Sequence, residues 1–325
     1  MPRLLGSPRP PGARTTAAVS TVCAALALLA ATPAVAVAPP LSDPRIVAHF
    51  DLSQGRQPEN IALEPDGSAD LTLSFARQIG RVDPEGRLTV LATLPAPVNP
   101  ATPLIGAAIV TGIARAHDGT LYFGYATGTP DLHGIWRLCP GGTPERIAAL
   151  PVTGLPNGLA LDERHGRLYT ADSALGVVHA VPTDGGAATT WSDDALLKPT
   201  TGFGANGLKV HHGAVWVSNT DTGDLLRIPI RDDGTAGPAE VRASGLPGID
   251  DFAFTGRGDA LIAALDVPNE AVYVAPDGSH HTVLTAADGL SNPTSVAVRG
   301  ETVYVPSAAY FTRTDPNLLL ATLQR

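Results

Sequence analysis

Short stretches of alternating apolar and polar residues recur along the chain, and each is bounded by residues that favour tight turns. Residues 70–74 alternate in this way, with the period of a strand that has one exposed face. Around them the pattern predicts four strands, at residues 60–63, 69–75, 78–82 and 88–94. Dipeptides such as Asp66-Gly67 supply the positive φ that hairpin turns require. The first unit is therefore predicted to be a four-stranded antiparallel sheet.

The same unit recurs, and each copy opens on a polar residue followed by a small residue, an aliphatic or Phe, and usually Ala. These opening residues, called the anchors below, are Glu59, Thr111, Asn157, Asn206, Asp250 and Thr294. Their successive spacings are 52, 46, 49, 44 and 44 residues. A period of this length, filled with short strands and glycine turns, is typical of β-propeller blades. Six blades around one axis would bring the six anchors to one mouth of a central channel.

Two of the anchors also allow a simpler interpretation. Asn157-Gly158 and Asn206-Gly207 could each be the turn of a hairpin. However, each of these units already has a separate turn about ten residues downstream, which is the usual hairpin spacing. We therefore place both asparagines before the first strand of their blades.

The two ends of the repeat complement each other. The last unit has strands predicted at residues 295–298, 302–305 and 318–323, which is one strand short. Residues 44–50 resemble the fourth strand of the second unit, residues 144–150. We predict that this N-terminal strand completes blade 6 and removes an open sheet edge. The predicted fold is all-β, a six-bladed β-propeller of four-stranded antiparallel blades.

The first residues do not follow the repeat. Arg3, Arg9 and Arg14 precede an apolar stretch at residues 17–31, and Ala34-Val35-Ala36 forms an A-x-A cleavage signal. This arrangement predicts a secretory signal peptide at residues 1–36 and a single propeller domain at residues 37–325. The apolar stretch is too short and too rich in small residues for a membrane span. We therefore expect a secreted protein without a membrane span.

Charge and cysteine content narrow the function classes. The chain has 22 Lys and Arg against 31 Asp and Glu, a net charge of −9. This balance argues against a nucleic-acid partner and favours the binding of a cation. Cys139 is the one cysteine outside the signal segment, so no intramolecular disulfide is expected, and its role is open. A monomer is expected.

Four anchors carry the candidate chemistry. Glu59, Asn157, Asn206 and Asp250 offer hard oxygen atoms, and two carboxylates with two amides would balance one divalent cation, Ca²⁺ foremost. The nine histidines are scattered, and the pair His211-His212 is expected to be solvated. The sequence contains no G-x-S-x-G, H-E-x-x-H or P-loop motif. A serine nucleophile or a phosphate cradle therefore has no support.

The anchor quartet, its order and its blade positions resemble the senescence marker protein / gluconolactonase / luciferin-regenerating enzyme family of six-bladed propellers. The resemblance implies that Glu59, Asn157, Asn206 and Asp250 hold one divalent metal, commonly Ca²⁺, with Asp250 also acting as general base. It implies hydrolysis of lactones or related esters. Asp251 is expected to be a turn or supporting residue. Sugar-lactone members have an Arg where this chain has Leu155, which argues against gluconolactone itself.

Strand geometry predicts further residues around the mouth. The rim candidates are Thr111, Tyr125, Asp172, Asn219, Asp266, Thr294 and Tyr310. The connection at residues 96–110 is long and mostly apolar, and it either packs on the propeller or forms a lid. The leading hypothesis is a secreted, metal-dependent hydrolase of a small-molecule lactone or ester. The alternative is a non-catalytic secreted propeller that binds a ligand or a protein partner with its top face.

Overall fold

The computed structural model describes residues 41–324, which form six four-stranded antiparallel sheets. The sheets are arranged as the blades of a six-bladed β-propeller, as the repeat predicted. The predicted signal peptide at residues 1–36 lies outside the described residues. Within residues 41–324, no helix has both the length and the hydrophobicity needed to cross a membrane.

Each blade takes its strands from the channel outwards in chain order, except that the outer strand of blade 6 is the first strand of the chain. Blades 1 to 3 comprise β2 (Pro58–Leu63), β3 (Ala69–Leu73), β4 (Gln78–Val82), β5 (Leu88–Thr93); β6 (Ile109–Arg115), β7 (Leu121–Ala126), β8 (Gly134–Leu138), β9 (Glu145–Ala149); β10 (Pro156–Asp162), β11 (Arg167–Asp172), β12 (Val177–Pro182), β13 (Thr189–Ser192). Blades 4 to 6 comprise β14 (Ala205–His211), β15 (Ala214–Asn219), β16 (Asp224–Pro229), β17 (Glu240–Ala243); β18 (Ile249–Phe254), β19 (Leu261–Leu265), β20 (Glu270–Val274), β21 (His280–Leu284); β22 (Ala297–Arg299), β23 (Thr302–Ser307), β24 (Asn317–Leu323), β1 (Leu41–His49). Single-turn 3-10 helices lie at Leu52–Gln54, Glu163–His165, Ala195–Leu197 and Ala286–Asp288.

The ring closes through the pairing of β1 with β24. The two strands are antiparallel, with Leu41 opposite Leu323 and His49 opposite Asn317. The inner strands β2, β6, β10, β14, β18 and β22 contact one another in turn, and β22 contacts β2. The predicted completion of blade 6 by the N-terminal strand is therefore confirmed. Closure pairs β24 on both sides, so it presents no open edge.

Glycines after the anchors let the inner strands of blades 2 to 5 approach closely. A Cβ on Gly112 would lie 2.3 Å from the carbonyl oxygen of Asn157 in the next blade. A Cβ on Gly158 would lie 2.4 Å from the carbonyl oxygen of Asn206, and Gly207 meets blade 5 in the same way. Both distances are too short for any side chain. The small residue of the repeat is thus required by blade packing.

Polar residues occupy the same position in the other half of the ring. Asn60 Nδ2 and Ser295 Oγ donate to Asp251 Oδ2, at 2.9 and 2.8 Å. Lys209 Nζ, from the inner strand of blade 4, lies 2.6 and 2.5 Å from the two oxygens of the same carboxylate. These contacts join blades 1, 4, 5 and 6 within the channel. They also give the buried Asp251 charge the partner that burial requires.

Candidate active site

Four anchors line one pocket of about 380 Å³. Glu59, Asn157, Asn206 and Asp250 are each the second residue of an inner strand, so the ring places them at the same end of the channel. Around each of them the pairing register with the next strand is interrupted. Such bulges redirect side chains and are frequent next to active sites. The four predicted ligand residues therefore share one pocket.

Glu59 is buried in this pocket and accepts a hydrogen bond from the Tyr310 hydroxyl. Burial raises the pKa of Glu59 to about 7, the hydrogen bond from Tyr310 opposes the shift, and the charge of Asp251 adds to it. The pKa of Tyr310 is itself raised well above its usual value by burial and by the Glu59 carboxylate. Tyr310 thus remains a hydrogen-bond donor that fixes one oxygen of Glu59.

Two further carboxyl groups share the pocket with Glu59. Burial, and then the charges of Glu59, Asp266 and Asp251, raise the pKa of Asp250 well above its ordinary value. Burial and the charge of Glu59 raise the pKa of Asp266 to about 8. Like charges that share a buried site each disfavour the ionised form of the other. A cation in this pocket would remove that repulsion.

The two asparagines have their amide groups oriented by neighbouring hydroxyls. Asn157 Nδ2 donates to Ser173 Oγ at 3.2 Å, and Asn206 Nδ2 donates to Thr220 Oγ1 at 2.8 Å. Asn206 Oδ1 is buried and has no hydrogen-bond partner among the described residues. A buried acceptor without a partner is costly unless a ligand satisfies it. Together with the carboxylates, this oxygen fits a hard divalent cation such as Ca²⁺.

The amide oxygens are needed to complete such a site. Within residues 41–324, the one group of three His, Cys, Asp or Glu side chains whose ligand atoms all lie within 4.8 Å is His211, His212 and Asp259. Glu59, Asp250 and Asp266 are not as tightly grouped. An ion at the mouth would therefore depend on Asn157 and Asn206 as well as on the carboxylates.

Four residues of the pocket region come directly after the second strand of blades 1, 3, 4 and 5. They are Ser74, Ser173, Thr220 and Asp266, and their backbone N–H groups bond the carbonyls of Gln57, Leu155, Gly204 and Gly248 respectively. In each case that carbonyl belongs to the residue two positions before the anchor. Asp266, a predicted rim residue, occupies this position and lines the pocket. Tyr310, also predicted at the rim, lines the pocket from the loop that follows β23.

Three other rim candidates precede this position by one or two residues and have other partners. The Tyr125 hydroxyl donates to Pro95 O at 2.6 Å. Asp172 Oδ1 accepts from the backbone of Leu155, Ala174 and Leu175. Asn219 Nδ2 donates to Leu196 O and Lys198 O. Strand side chains alternate between faces, so Asp172 and Asn219, one position earlier, point away from the pocket. All three side chains organise loops and lie outside the pocket lining.

The anchors of blades 2 and 6 also lie outside the lining. Thr294 Oγ1 donates to Pro58 O at 2.9 Å, which links blade 6 to blade 1 next to Glu59. Thr111 is fully buried, and its Oγ1 has no partner among the described residues. A Cβ on Gly124 would lie 2.4 Å from that oxygen. Both threonines are therefore enclosed within the blades.

The walls of the pocket above the anchors are apolar. They include Phe75, Leu104, Ile105, Ile109, Leu155, Phe203, Val267 and Phe311. Three of these residues come from the connection predicted to pack on the propeller or to form a lid. The backbone N–H of Ala101 in this connection donates to Thr127 O of blade 2 at 3.0 Å. The connection is therefore packed on the propeller and forms one wall of the pocket. Arg313 is the one Lys or Arg in the lining, and its guanidinium has no hydrogen-bond or ion-pair partner among the described residues.

No protein-family model and no curated protein matches the sequence. Solved structures share its fold at low identity. A gluconolactonase from Xanthomonas campestris is 17% identical, with a TM-score of 0.62 over 87% of this chain and 95% of that one. Regucalcin, a calcium-binding protein from Agrobacterium tumefaciens, is 15% identical, with a TM-score of 0.64 and the same coverage. A virginiamycin B lyase from Staphylococcus aureus is 14% identical, with a TM-score of 0.59 over 87% of this chain and 99% of that one.

The first two neighbours agree with the family resemblance seen in the sequence. At these identities the similarity shows the fold, and the third neighbour has a different activity. Propeller folds carry many functions, so the chemistry has to be argued from the pocket itself.

Proposed function

We propose that this protein is a divalent-metal-dependent hydrolase of lactones or related esters. The observation that carries the proposal is the meeting of Glu59, Asn157, Asn206 and Asp250 in one pocket, with Asn206 Oδ1 buried and unsatisfied. Ca²⁺ is the proposed ion because all the donors are hard oxygens. The fold shared with a gluconolactonase and with a calcium-binding regucalcin supports the same proposal.

The reaction adds water across an acyl–oxygen bond. When bound, the ion would polarise the substrate carbonyl and activate a water molecule. The Asp250 carboxylate acts as general base and takes the proton of the attacking water. The acyl carbon–oxygen bond then breaks, the departing oxygen receives the proton, and a hydroxy acid is formed. Tyr310 holds one oxygen of Glu59 in place throughout.

The apolar walls support a lactone or ester with an apolar body as the proposed substrate class. Leu155 contributes a buried, apolar side chain to the lining. Such a side chain offers no hydrogen bond to the hydroxyl groups of a sugar ring. Each hydroxyl buried without a partner costs about 1–3 kcal/mol. The unpaired Arg313 guanidinium would attract the carboxylate of the product or an anionic group of the substrate. Aliphatic and aryl lactones are therefore preferred over glucono-lactone.

A panel of lactones and esters tests the activity. Purified protein with excess Ca²⁺ is expected to cleave aliphatic or aryl lactones with a higher kcat/KM than glucono-lactone, and chelation should remove the activity. Asp250→Asn should abolish turnover, whereas Val98→Ser, on an exposed residue outside the pocket, should leave it unchanged. Faster cleavage of glucono-lactone would overturn the substrate class. Absence of turnover with bound Ca²⁺ would favour the ligand-binding propeller.

We also propose that the protein acts outside the cell, on the basis of the predicted signal peptide. Expression in a bacterium with a Sec pathway should give an exported protein whose N-terminal sequence starts at Val37. An intact N-terminus on protein retained in the cytoplasm would contradict this.

A further inference from the structure

Two adjacent histidines and an aspartate meet on the face of the propeller opposite the mouth. His211 ends the inner strand of blade 4 at the far end from Asn206, and His212 belongs to the turn that follows. Asp259 lies in the corresponding turn of blade 5, between β18 and β19. The sequence suggested that the histidine pair is solvated, whereas the structure brings both imidazoles to one carboxylate.

The donor atoms have the spacing of ligands around one metal ion. His211 Nε2 lies 3.3 Å and His212 Nδ1 lies 3.1 Å from Asp259 Oδ1. In a tetrahedral zinc site with bonds of about 2.0–2.1 Å, neighbouring ligand atoms lie roughly 3.3 Å apart. We propose that His211, His212 and Asp259 form a second metal site, which binds a divalent transition metal ion such as Zn²⁺.

The surroundings hold one ligand in place and leave the other accessible. The His211 ring stacks on Phe254, with centroids 3.7 Å apart and planes at 14°, and its centroid lies 3.7 Å from that of His212. His211 Nε2 also lies 3.1 Å from Gly258 O, a contact that would be exchanged for the ion. The side chain of His212 is 65% exposed, so the ion could be approached from solvent and keep water ligands.

The ligand types separate this site from the one at the mouth. Two imidazole nitrogens with one carboxylate suit Zn²⁺, Ni²⁺ or Cu²⁺, whereas Ca²⁺ prefers oxygen ligands alone. An ion held here would join the turns of blades 4 and 5. Because it would bind the folded ring and not the unfolded chain in the same geometry, it should raise the unfolding temperature.

Zinc titration of the untagged protein in excess Ca²⁺ tests the proposal. Competition with a chromophoric zinc indicator should give one site per chain at neutral pH. His212→Asn should weaken zinc binding at least about tenfold. Loss of a residue that only hydrogen-bonds to a metal ligand already lowers metal affinity by about that factor. Asn suits this position because His212 has a left-handed backbone, φ 46°. Asp259→Asn should show a loss of the same order.

Matched controls keep the test specific. His281→Asn, on an exposed histidine of blade 5, and Asp250→Asn, at the mouth, should bind zinc like the wild type. The electron paramagnetic resonance spectrum of the Cu²⁺-loaded protein should show two nitrogen ligands, and His212→Asn should lose one. Unfolding temperatures without zinc report whether each variant is folded. Unchanged zinc affinity in folded His212→Asn and Asp259→Asn would overturn the proposal.

Discussion

Lys209 Nζ lies 2.5 Å from Asp251 Oδ2, so an ion pair joins the inner strands of blades 4 and 5 within the channel. The neighbouring Asp250 has no such cation and shares its pocket with Glu59 and Asp266. Two consecutive aspartates thus have opposite electrostatic surroundings. One carboxylate is balanced by the protein, and the other is available to a ligand.

Asp251→Asn is expected to destabilise the fold while leaving calcium binding nearly unchanged. It leaves the Lys209 ammonium without its carboxylate. The free energy of unfolding should fall by about 2 kcal/mol. This is less than for breaking a fully buried ion pair, because a quarter of the Lys209 side chain is exposed. Asp250→Asn should show the reverse. Its stability in chelator should be unchanged or higher, because repulsion from the neighbouring carboxylates is relieved, and its calcium binding should be weaker. Urea unfolding and calorimetric titration measure the two effects. Equal losses of calcium affinity would contradict the assignment.

Gly158→Ala should destabilise the propeller by about 3 kcal/mol, because its Cβ would overlap the carbonyl oxygen of Asn206 and separate blades 3 and 4. Gly202→Ala is the matched control, since its Cβ would meet only Asp221 Oδ1, at 3.5 Å, in ordinary contact. Urea unfolding of both variants checks the prediction. Similar stabilities would mean that the inner strands are not held at this distance.

Phe311→Ser should raise KM for apolar lactones roughly fivefold and leave kcat unchanged, because it removes about 1 kcal/mol of apolar contact shared by substrate and transition state. Phe311 lines the pocket and is 63% exposed, so stability should change little. Val98→Ser removes an exposed apolar side chain outside the lining and should leave KM unchanged. A fall in kcat alone would place Phe311 in another role.

His133 should make stability depend on pH below neutrality. Burial lowers its pKa to about 4, with smaller and opposing effects from Asp172 and Arg146. Its Nδ1 accepts from the N–H groups of Thr127 and Gly128, both at 3.1 Å, so protonation would remove that acceptor. The unfolded chain binds the proton near pH 6.5 and the folded chain only near pH 4. Stability from this group is therefore lost as the pH falls between those values.

His133→Asn keeps an acceptor for the two N–H groups and removes the titration. Between pH 7.5 and pH 5, the wild type should lose roughly 1–2 kcal/mol more unfolding free energy than this variant. His281→Asn, on an exposed histidine, should behave like the wild type. Parallel pH profiles for all three proteins would contradict the prediction.

Repeat spacing and turn residues were enough to predict blades 1 to 5, because each of them is built from contiguous sequence. The strand predicted at residues 78–82 has those bounds in β4 (Gln78–Val82). The inner strand of blade 6 was predicted at 295–298 but is Ala297–Arg299. Before Ala297 the chain bonds β23 only through Pro293 and Thr294, whose N–H donates to Pro306 O. Thr294 O and Ser295 Oγ bond blade 5 instead, since Thr294 O accepts from Asp251 N and Ser295 Oγ donates to the Asp251 carboxylate.

The candidate site was predicted less completely, because side-chain direction depends on pairing register. Asp172 and Asn219 end their strands, but the next residues, Ser173 and Thr220, face the anchors. The register interruption at each anchor hides this one-residue difference from strand counting. Arg313 was missed because it lies in an irregular loop with a left-handed backbone, φ 55°, which no repeat pattern predicts.

Pairing of β1 with β24 also sets the order in which the molecule can be made. During translation, blades 1 to 5 consist of strands that emerge one after another, whereas blade 6 must wait for a strand near the end of the chain. Contacts between such distant segments form slowly. Until they form, nothing holds blade 1 against blade 6, and Glu59 has no fixed distance to Asp250. We therefore expect the nascent chain to gain the proposed calcium affinity only after β24 has been synthesised and has paired with β1.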